Sequence, residues 1–231
     1  MIWLAPTRRT AGRLLRPRPD VLPARGRIPH LPARGHYAAR MDEELRSLAD
    51  RLRDEARASD AVAAYERLLS TRDHDELAAV LTERERPLWA REIAAFRLGC
   101  AGDRRAFESL VLLLNHRDPE RCVSAAHALA RLGDPRTARA AAALATNQLR
   151  TAYALHPVRL LTALRAPEAV PALITTLRPL LSPDTPYWRV ALACVEGLGE
   201  LGDKRAVEVL ETALARPRLA SAAAVALRRI T

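Results

Sequence analysis

The chain has 231 residues, a net charge of +10, 49% apolar residues and only 4% aromatic residues. A chain of this length can bury a core, which here must consist mainly of Ala, Leu and some Val. Because Ala and Leu are strong helix formers, we predict an all-α protein. No apolar run is long enough to cross a membrane, and three cysteines without CxxC spacing exclude a disulfide framework and favour the cytoplasm. With Lys204 as its one lysine, the chain has the arginine-rich usage of a GC-rich, bacterial genome, so the arginine count alone says little about function.

Residues 1–40 carry nine arginines, one acid and six prolines. The prolines interrupt helices, and the segment lacks the continuous apolar region of a signal peptide. We predict a disordered basic tail, or a start of translation at Met41. An organelle transit peptide and a tail that binds nucleic acid or a membrane remain alternatives.

Residues 41–85 are acidic, with thirteen acids against seven arginines. Leu45, Leu48, Leu52 and Ala56 share one face of a predicted helix. Shorter helical patterns follow around 60–70 and 74–83. We predict that 41–86 forms a helical N-terminal cap.

From residue 87 onward, Ala-rich apolar segments end repeatedly in the same turn. The turn has the sequence Gly-Asp in three copies, at Gly102-Asp103, Gly133-Asp134 and Gly202-Asp203. A weaker copy, LTALRAPEAVPAL (161–173), has Arg165-Ala166 instead. The four turn positions are 31, 32 and 37 residues apart, and this period indicates a structural repeat.

The turn chemistry predicts two helices in each repeat. Glycine ends a helix in the left-handed conformation without a Cβ penalty, and aspartate caps the next helix for about 1 kcal/mol. The same logic places Pro119, Pro135, Pro167 and Pro186 at the first position of helices. A pair of about 31 residues cannot bury both apolar sides alone, so we predict that 87–231 stacks into an α-solenoid, with 218–230 as a last half-repeat.

The pattern resembles the HEAT-like repeats of phycobilisome lyases, most closely in CVEGLGELGDKRAVEVL (194–210). The resemblance covers about 87–230 and implies a solenoid of tandem helical hairpins. It also implies a polar ladder between repeats, built from Asp103, Asp134 and Asp203 with Arg105, Arg136 and Arg205. Proteins with such repeats include scaffolds, lyases and some DNA-binding enzymes.

No pattern of residues indicates catalysis, a cofactor or a metal. His116, Cys122 and His127 lie close in sequence but lack a fourth ligand for tetrahedral zinc, and Cys122 and Cys194 are better explained as small core residues. Asp73-His74-Asp75-Glu76 is explained by the start of a helix.

The predicted function is a non-catalytic adaptor that binds a protein partner in its concave groove. Second helices typically line that groove. We expect contacts to an acidic partner surface from Arg136, Arg139, Arg150 and Arg178, with Trp89 and Trp188 as aromatic anchors.

Two alternative functions belong to other classes. One is a nucleic-acid-binding or DNA-repair protein, which the basic charge favours but the mixed charges of the second helices and the scarce aromatics oppose. The other is a bilin lyase or chaperone, which only the family resemblance suggests.

Overall fold

A computed structural model describes residues 49–230, which form α-helices and short 3-10 helices and contain no strand. All described residues belong to one compact unit. The predicted tail (1–40) and the first residues of the predicted cap (41–48) lie outside the described residues. The α-helices are α1 (49–58), α2 (Val62–Ser70), α3 (His74–Thr82), α4 (Leu88–Cys100), α5 (Phe107–Leu114), α6 (Pro119–Leu132), α7 (Thr137–Ala145), α8 (Leu155–Leu164), α9 (Ala169–Leu177), α10 (Trp188–Leu201), α11 (Val207–Leu214) and α12 (Ala220–Ile230).

From α4 onward the helices form successive pairs. These are α4/α5, α6/α7, α8/α9 and α10/α11, and α12 follows as a single helix. The first helices α4, α6, α8, α10 and α12 pack side by side in chain order, and each second helix also packs against the first helix of the next pair. This arrangement confirms the predicted all-α solenoid, because every pair buries its apolar sides against its neighbours.

The turns within the pairs have the predicted backbone conformation. The three turn glycines lie in the left-handed region at φ values of +81°, +64° and +69° for Gly102, Gly133 and Gly202. In the weaker third copy, Arg165 adopts the same conformation at φ +51°. Its Nη2 donates to the carbonyl oxygen of Glu200, 2.9 Å away, in the following pair.

The prolines follow the prediction only in part. Pro119 is the first residue of α6 behind the cap Asp118, as expected. Pro135, Pro167 and Pro186 precede their helices by two residues, since α7, α9 and α10 begin at Thr137, Ala169 and Trp188. The chain makes a non-helical turn first, and the restricted φ of proline suits that turn equally well.

Glycines allow the first helices to approach closely. A Cβ on Gly99 would lie 3.0 Å from Cβ of Ala128, and one on Gly197 would lie 2.2 Å from Oγ1 of Thr162. A Cβ on Gly199 would lie only 2.6 Å from Cβ of Ala226. The first-helix layer therefore depends on small residues at its contacts. The largest fully buried side chains of the core are mainly leucines, and Cys122 and Cys194 are buried as predicted.

A buried polar network joins the N-terminal helix α1 to the first two pairs. Glu92 in α4 has no solvent exposure and accepts hydrogen bonds from Arg51 Nη2 at 3.1 Å, from Ser124 Oγ at 3.1 Å and from Arg121 Nη1. Arg121 also donates to Glu55 in α1 at 2.7 Å. Burial raises the pKa of Glu92 above its usual value, although both arginines favour the carboxylate.

The sequence alone does not reveal this network. Glu92 occupies the repeat position that holds Val123 and Leu192 in later pairs. A charged side chain therefore stands where those pairs have an apolar one. Removing one partner of a buried ion pair leaves the other charge uncompensated. The junction between α1 and the repeats therefore depends on all partners being present.

Gly199→Ala tests the close packing of α10 on α12. The new Cβ would lie 2.6 Å and 2.7 Å from Cβ and Cα of Ala226, so the two helices must separate, and we expect a loss of about 1–3 kcal/mol. The measurement is urea unfolding followed by circular dichroism. Glu196→Ala, at an exposed position of the same helix, is the control and should change stability by less than about 0.5 kcal/mol. Equal losses in the two variants would contradict the packing argument.

Candidate functional site

The stacked pairs present three surfaces on which the predicted contact residues are distributed. We call the connections within pairs (101–106, 133–136, 165–168 and 202–206) the turn edge. The loop edge comprises the connections between pairs (115–118, 146–154, 178–187 and 215–219) and the first turn of each following helix. The exposed residues of α5, α7, α9 and α11 form the second-helix face. A pair of helices places its internal turn and its outgoing connection at opposite ends, so the two edges lie on opposite sides of the array.

Arg136 lies on the turn edge and is already engaged. Its Nε and Nη2 donate to Oδ1 and Oδ2 of Asp134, both at 3.0 Å, and its guanidinium lies 3.9 Å from the ring centroid of Phe107 in the preceding pair. Asp134 is buried, and hydrogen bonds from Arg136 lower its pKa. Arg136 therefore completes the turn.

The other Gly-Asp turns repeat this pairing. Arg105 and Arg205 each donate from Nε and Nη2 to the aspartate two residues before them, Asp103 and Asp203. Arg105 also reaches Asp75 in α3 at 2.6 Å. The ladder implied by the resemblance is thus formed mainly inside each turn, and these pairs neutralise Arg105, Arg136 and Arg205.

Arg139 lies on the second-helix face, and its side chain is exposed. Glu108, Pro171 and Glu208 hold the equivalent position in the other pairs, six residues after the turn position. The position ten residues after the turn is occupied by Leu112, which is 71% exposed, and by Ala143 in α7. Arg139 therefore borders an exposed apolar area formed by α5 and α7.

Arg150 and Arg178 lie on the loop edge. Arg150 is half-buried, donates to the carbonyl oxygen of Asn115 and lies 4.8 Å from the ring centroid of Tyr153. Arg178 is exposed at the end of α9.

Trp188 also lies on the loop edge, at the start of α10, and is half-buried. Two guanidinium groups, those of Arg189 and Arg218, each lie 5.4 Å from its ring centroid. Arg218 comes from the next connection along the edge. Sequence analysis did not identify Arg218 as a candidate, since only the stacking of pairs brings it to Trp188.

Trp89 must be removed from the candidate contacts. Its side chain is only 4% exposed and packs against Tyr65, with ring centroids 6.3 Å apart. Trp89 anchors the cap helix α2 to α4 inside the core, so it cannot reach a partner. The six predicted residues thus occupy four places, and only Arg150, Arg178 and Trp188 share one surface.

The charge of the middle pairs is strongly one-sided. Residues 135–183 contain six arginines and one acid, Glu168. Every salt bridge found within residues 49–230 lies in α1–α6 with the connections between them, or at a Gly-Asp turn. The arginines of the second-helix face and of the loop edge beyond α6 therefore have no carboxylate partner in this part of the chain.

The three residues considered for zinc have other roles. His116 Nδ1 accepts a hydrogen bond from the backbone N–H of Asp118 at 3.0 Å, and buried Cys122 donates to the carbonyl oxygen of His116. His127 stacks on Phe96 with ring centroids 5.8 Å apart. Residues 49–230 contain no group of three His, Cys, Asp or Glu side chains that could hold a metal ion. Over the same range, no helix is both long and apolar enough to span a bilayer.

A comparison with family models finds that residues 190–216 match the PBS lyase HEAT-like repeat. The match covers most of α10, the connecting turn and α11, and it confirms the predicted HEAT-like repeat. The same comparison indicates a repeat protein of the scaffold or adaptor type. A search of curated proteins found no match.

The turn-edge ion pairs predict a loss of stability in acid. Hydrogen bonds from Arg105 and Arg205 lower the pKa of Asp103 and of Asp203 from 3.8 to about 2. Because these pKa values are depressed in the folded state, their contribution is present above pH 4 and is lost as the pH falls towards 2. Asp203→Asn keeps a capping side chain but removes the charge. The difference in urea midpoint between wild type and this variant should shrink between pH 5 and pH 2.5, and a constant difference would contradict the ion pair.

Arg136 and Arg139 should respond differently to truncation. Arg136→Ala removes both hydrogen bonds to buried Asp134 and uncovers Phe107, so it should lower the thermal midpoint. Arg139→Ala removes an exposed side chain and should leave the midpoint unchanged. Differential scanning fluorimetry compares the two, and an unchanged midpoint in Arg136→Ala would contradict the structural role of Arg136.

Proposed function

We propose that the protein is a non-catalytic adaptor whose second-helix face binds a partner protein with an acidic surface. The observation that carries the proposal is the exposed apolar area around Leu112 and Ala143, bordered by Arg139, without an acidic partner in the described residues. A partner segment with apolar and acidic side chains would satisfy both features.

The composition of α7 supports the second-helix face as the contact region. The helix reads TARAAAALA and carries one exposed charge, Arg139. Leu112 is exposed on the neighbouring helix α5, whereas the exposed side of α9 presents Pro171 and Thr175. An apolar segment lying across these helices would cover Leu112, which otherwise exposes 71% of its surface to water.

Charge orients the partner in this proposal. Arg150 and Arg178 border the second-helix face on the loop-edge side, and Arg139 lies towards its other side. Glu108 and Glu208 lie in the flanking pairs and would repel acidic groups there. The acidic residues of the partner would therefore lie over the two middle pairs, and opposite charges would accelerate association at low salt.

Site-specific crosslinking tests the proposed face. A photoreactive amino acid placed at Ala143 should form a defined adduct with a partner protein in the native host, and mass spectrometry identifies that partner. The same amino acid at Glu196, exposed on the first helix α10, is the control and should give no adduct. Equal adducts at both positions, or none at Ala143, would contradict the proposal.

Variants then measure the contact with the identified partner. Leu112→Asp introduces a charge into the apolar area and should weaken binding at least about tenfold, which corresponds to about 1.4 kcal/mol. Arg139→Glu should also weaken binding, and this loss of affinity should be larger at low salt than at high salt. Leu69→Asp, at a leucine 44% exposed on the cap helix α2, is the matched control. Isothermal titration calorimetry gives the affinities. A loss of affinity in Leu69→Asp equal to that in Leu112→Asp would contradict binding at the second-helix face.

A further inference from the structure

The solvent-accessible aromatic rings of the described chain are concentrated on the loop edge. Tyr153, Tyr187 and Trp188 all lie there, and Tyr187 is 38% exposed. The remaining described rings belong elsewhere: Tyr65, Trp89 and Phe107 are buried, and Phe96 is half-buried against His127. Aromatic residues are scarce in the sequence, but the fold brings Tyr153, Tyr187 and Trp188 to one edge, whereas half-buried Phe96 in α4 is stacked on His127.

Guanidinium groups accompany two of these three rings. Arg150 lies 4.8 Å from the ring centroid of Tyr153, and Arg189 and Arg218 lie 5.4 Å from that of Trp188. Cation–π contacts position a guanidinium group without consuming its N–H donors. Two positive charges held at one ring repel each other, so an anion that bridges them would be stabilised.

The other charges on the loop edge make it basic beyond α6. Arg178 is exposed and Arg216 is half-buried. Two acids at the start of α6 are already engaged, because Glu120 pairs with Arg51 at 2.9 Å and Asp118 lies 3.5 Å from Arg121. Asp184 is the one carboxylate in the three connections between pairs that follow α6 (146–154, 178–187 and 215–219), so a polyanion at the loop edge would meet mainly uncompensated arginines.

We propose that the loop edge binds a single-stranded nucleic acid. The bases would stack on Trp188, Tyr187 and Tyr153, and the phosphates would contact Arg150, Arg178, Arg189, Arg216 and Arg218. Single strands are recognised by this combination of basic track and aromatic platforms. This activity goes beyond the proposed adaptor function and uses the loop edge, which shares Arg150 and Arg178 with the border of the second-helix face but not Leu112, Ala143 or Arg139.

Two other polyanions fit the loop edge less well. An acidic peptide would satisfy the arginines but would leave the rings without partners. A duplex presents phosphates but keeps its bases stacked internally, so the rings would again be unused. Only an unpaired strand offers anions and exposed flat rings along one chain.

Fluorescence anisotropy of the full-length chain with a labelled oligo(dT) 20-mer tests the proposal. Trp188→Ala and Tyr187→Ala should each weaken binding, by about tenfold for the tryptophan. Arg189→Gln combined with Arg218→Gln should reduce the slope of log K against log salt by about 1.4, because two phosphate contacts are lost. Thermal melts check that each variant is folded, and Tyr187, at 38% exposure, is the more exposed of the two aromatic positions that are substituted.

The matched control is Arg228→Gln combined with Arg229→Gln. These exposed arginines lie at the end of α12, towards the turn edge, and their removal changes the net charge by the same amount. The arginines of residues 1–40 are common to all variants, so binding by that segment alone would respond equally to both pairs of substitutions.

Three outcomes would overturn the proposal. The first is no binding at low salt, and the second is binding that the loop-edge and control variants change equally. The third is that a duplex of the same length, or polyglutamate, binds the loop edge more tightly than the single strand does. Failure here leaves the adaptor proposal intact, because that proposal is tested at Leu112, Ala143 and Arg139.

Discussion

The close approach of neighbouring first helices is the constraint on which the rest of the structure depends. Gly99 faces Ala128, Gly197 faces Thr162 and Gly199 faces Ala226 with no room for a Cβ at the glycine. At such contacts, each pair buries its apolar sides against the next pair, which it cannot do alone. The stability of each pair therefore depends on the pairs next to it. The array can expose its second helices and connections to partners without losing its core.

The turn chemistry decides where positive charge is available. At the Gly-Asp turns, the arginine two residues after the aspartate donates to that aspartate, so this arginine is neutralised within its own turn. The connections between pairs lack such ion pairs beyond α6, and Arg150 and Arg218 there lie beside aromatic rings instead. The chain therefore separates a structural set of arginines from a set that is free to bind anions, although both sets look alike in composition.

Repeated local chemistry explains why the solenoid could be predicted and the contact residues could not. The glycine, the aspartate and the alanine-rich helices recur at a fixed period, so each copy supports the others. Contact residues have no such repetition. Trp89 and Trp188 have similar sequence surroundings, yet α2 covers the first with Tyr65 whereas the second remains half-exposed beside Arg218. Arg136 and Arg139 are three residues apart, but only Arg136 faces Asp134 and Phe107.

By itself, the sequence determined the helical content and the position of the turns, because propensity, left-handed glycines and capping act within a few residues. It also determined that the pairs stack, because the repeat leaves each pair with apolar sides that only a neighbour can cover. Tertiary structure alone decided that Glu92 fills an apolar slot between Arg51 and Arg121, and that Arg218 reaches the ring of Trp188. These contacts join residues from different pairs or from the cap. Their partners depend on how helices pack across one another, and no short-range pattern in the chain encodes that packing.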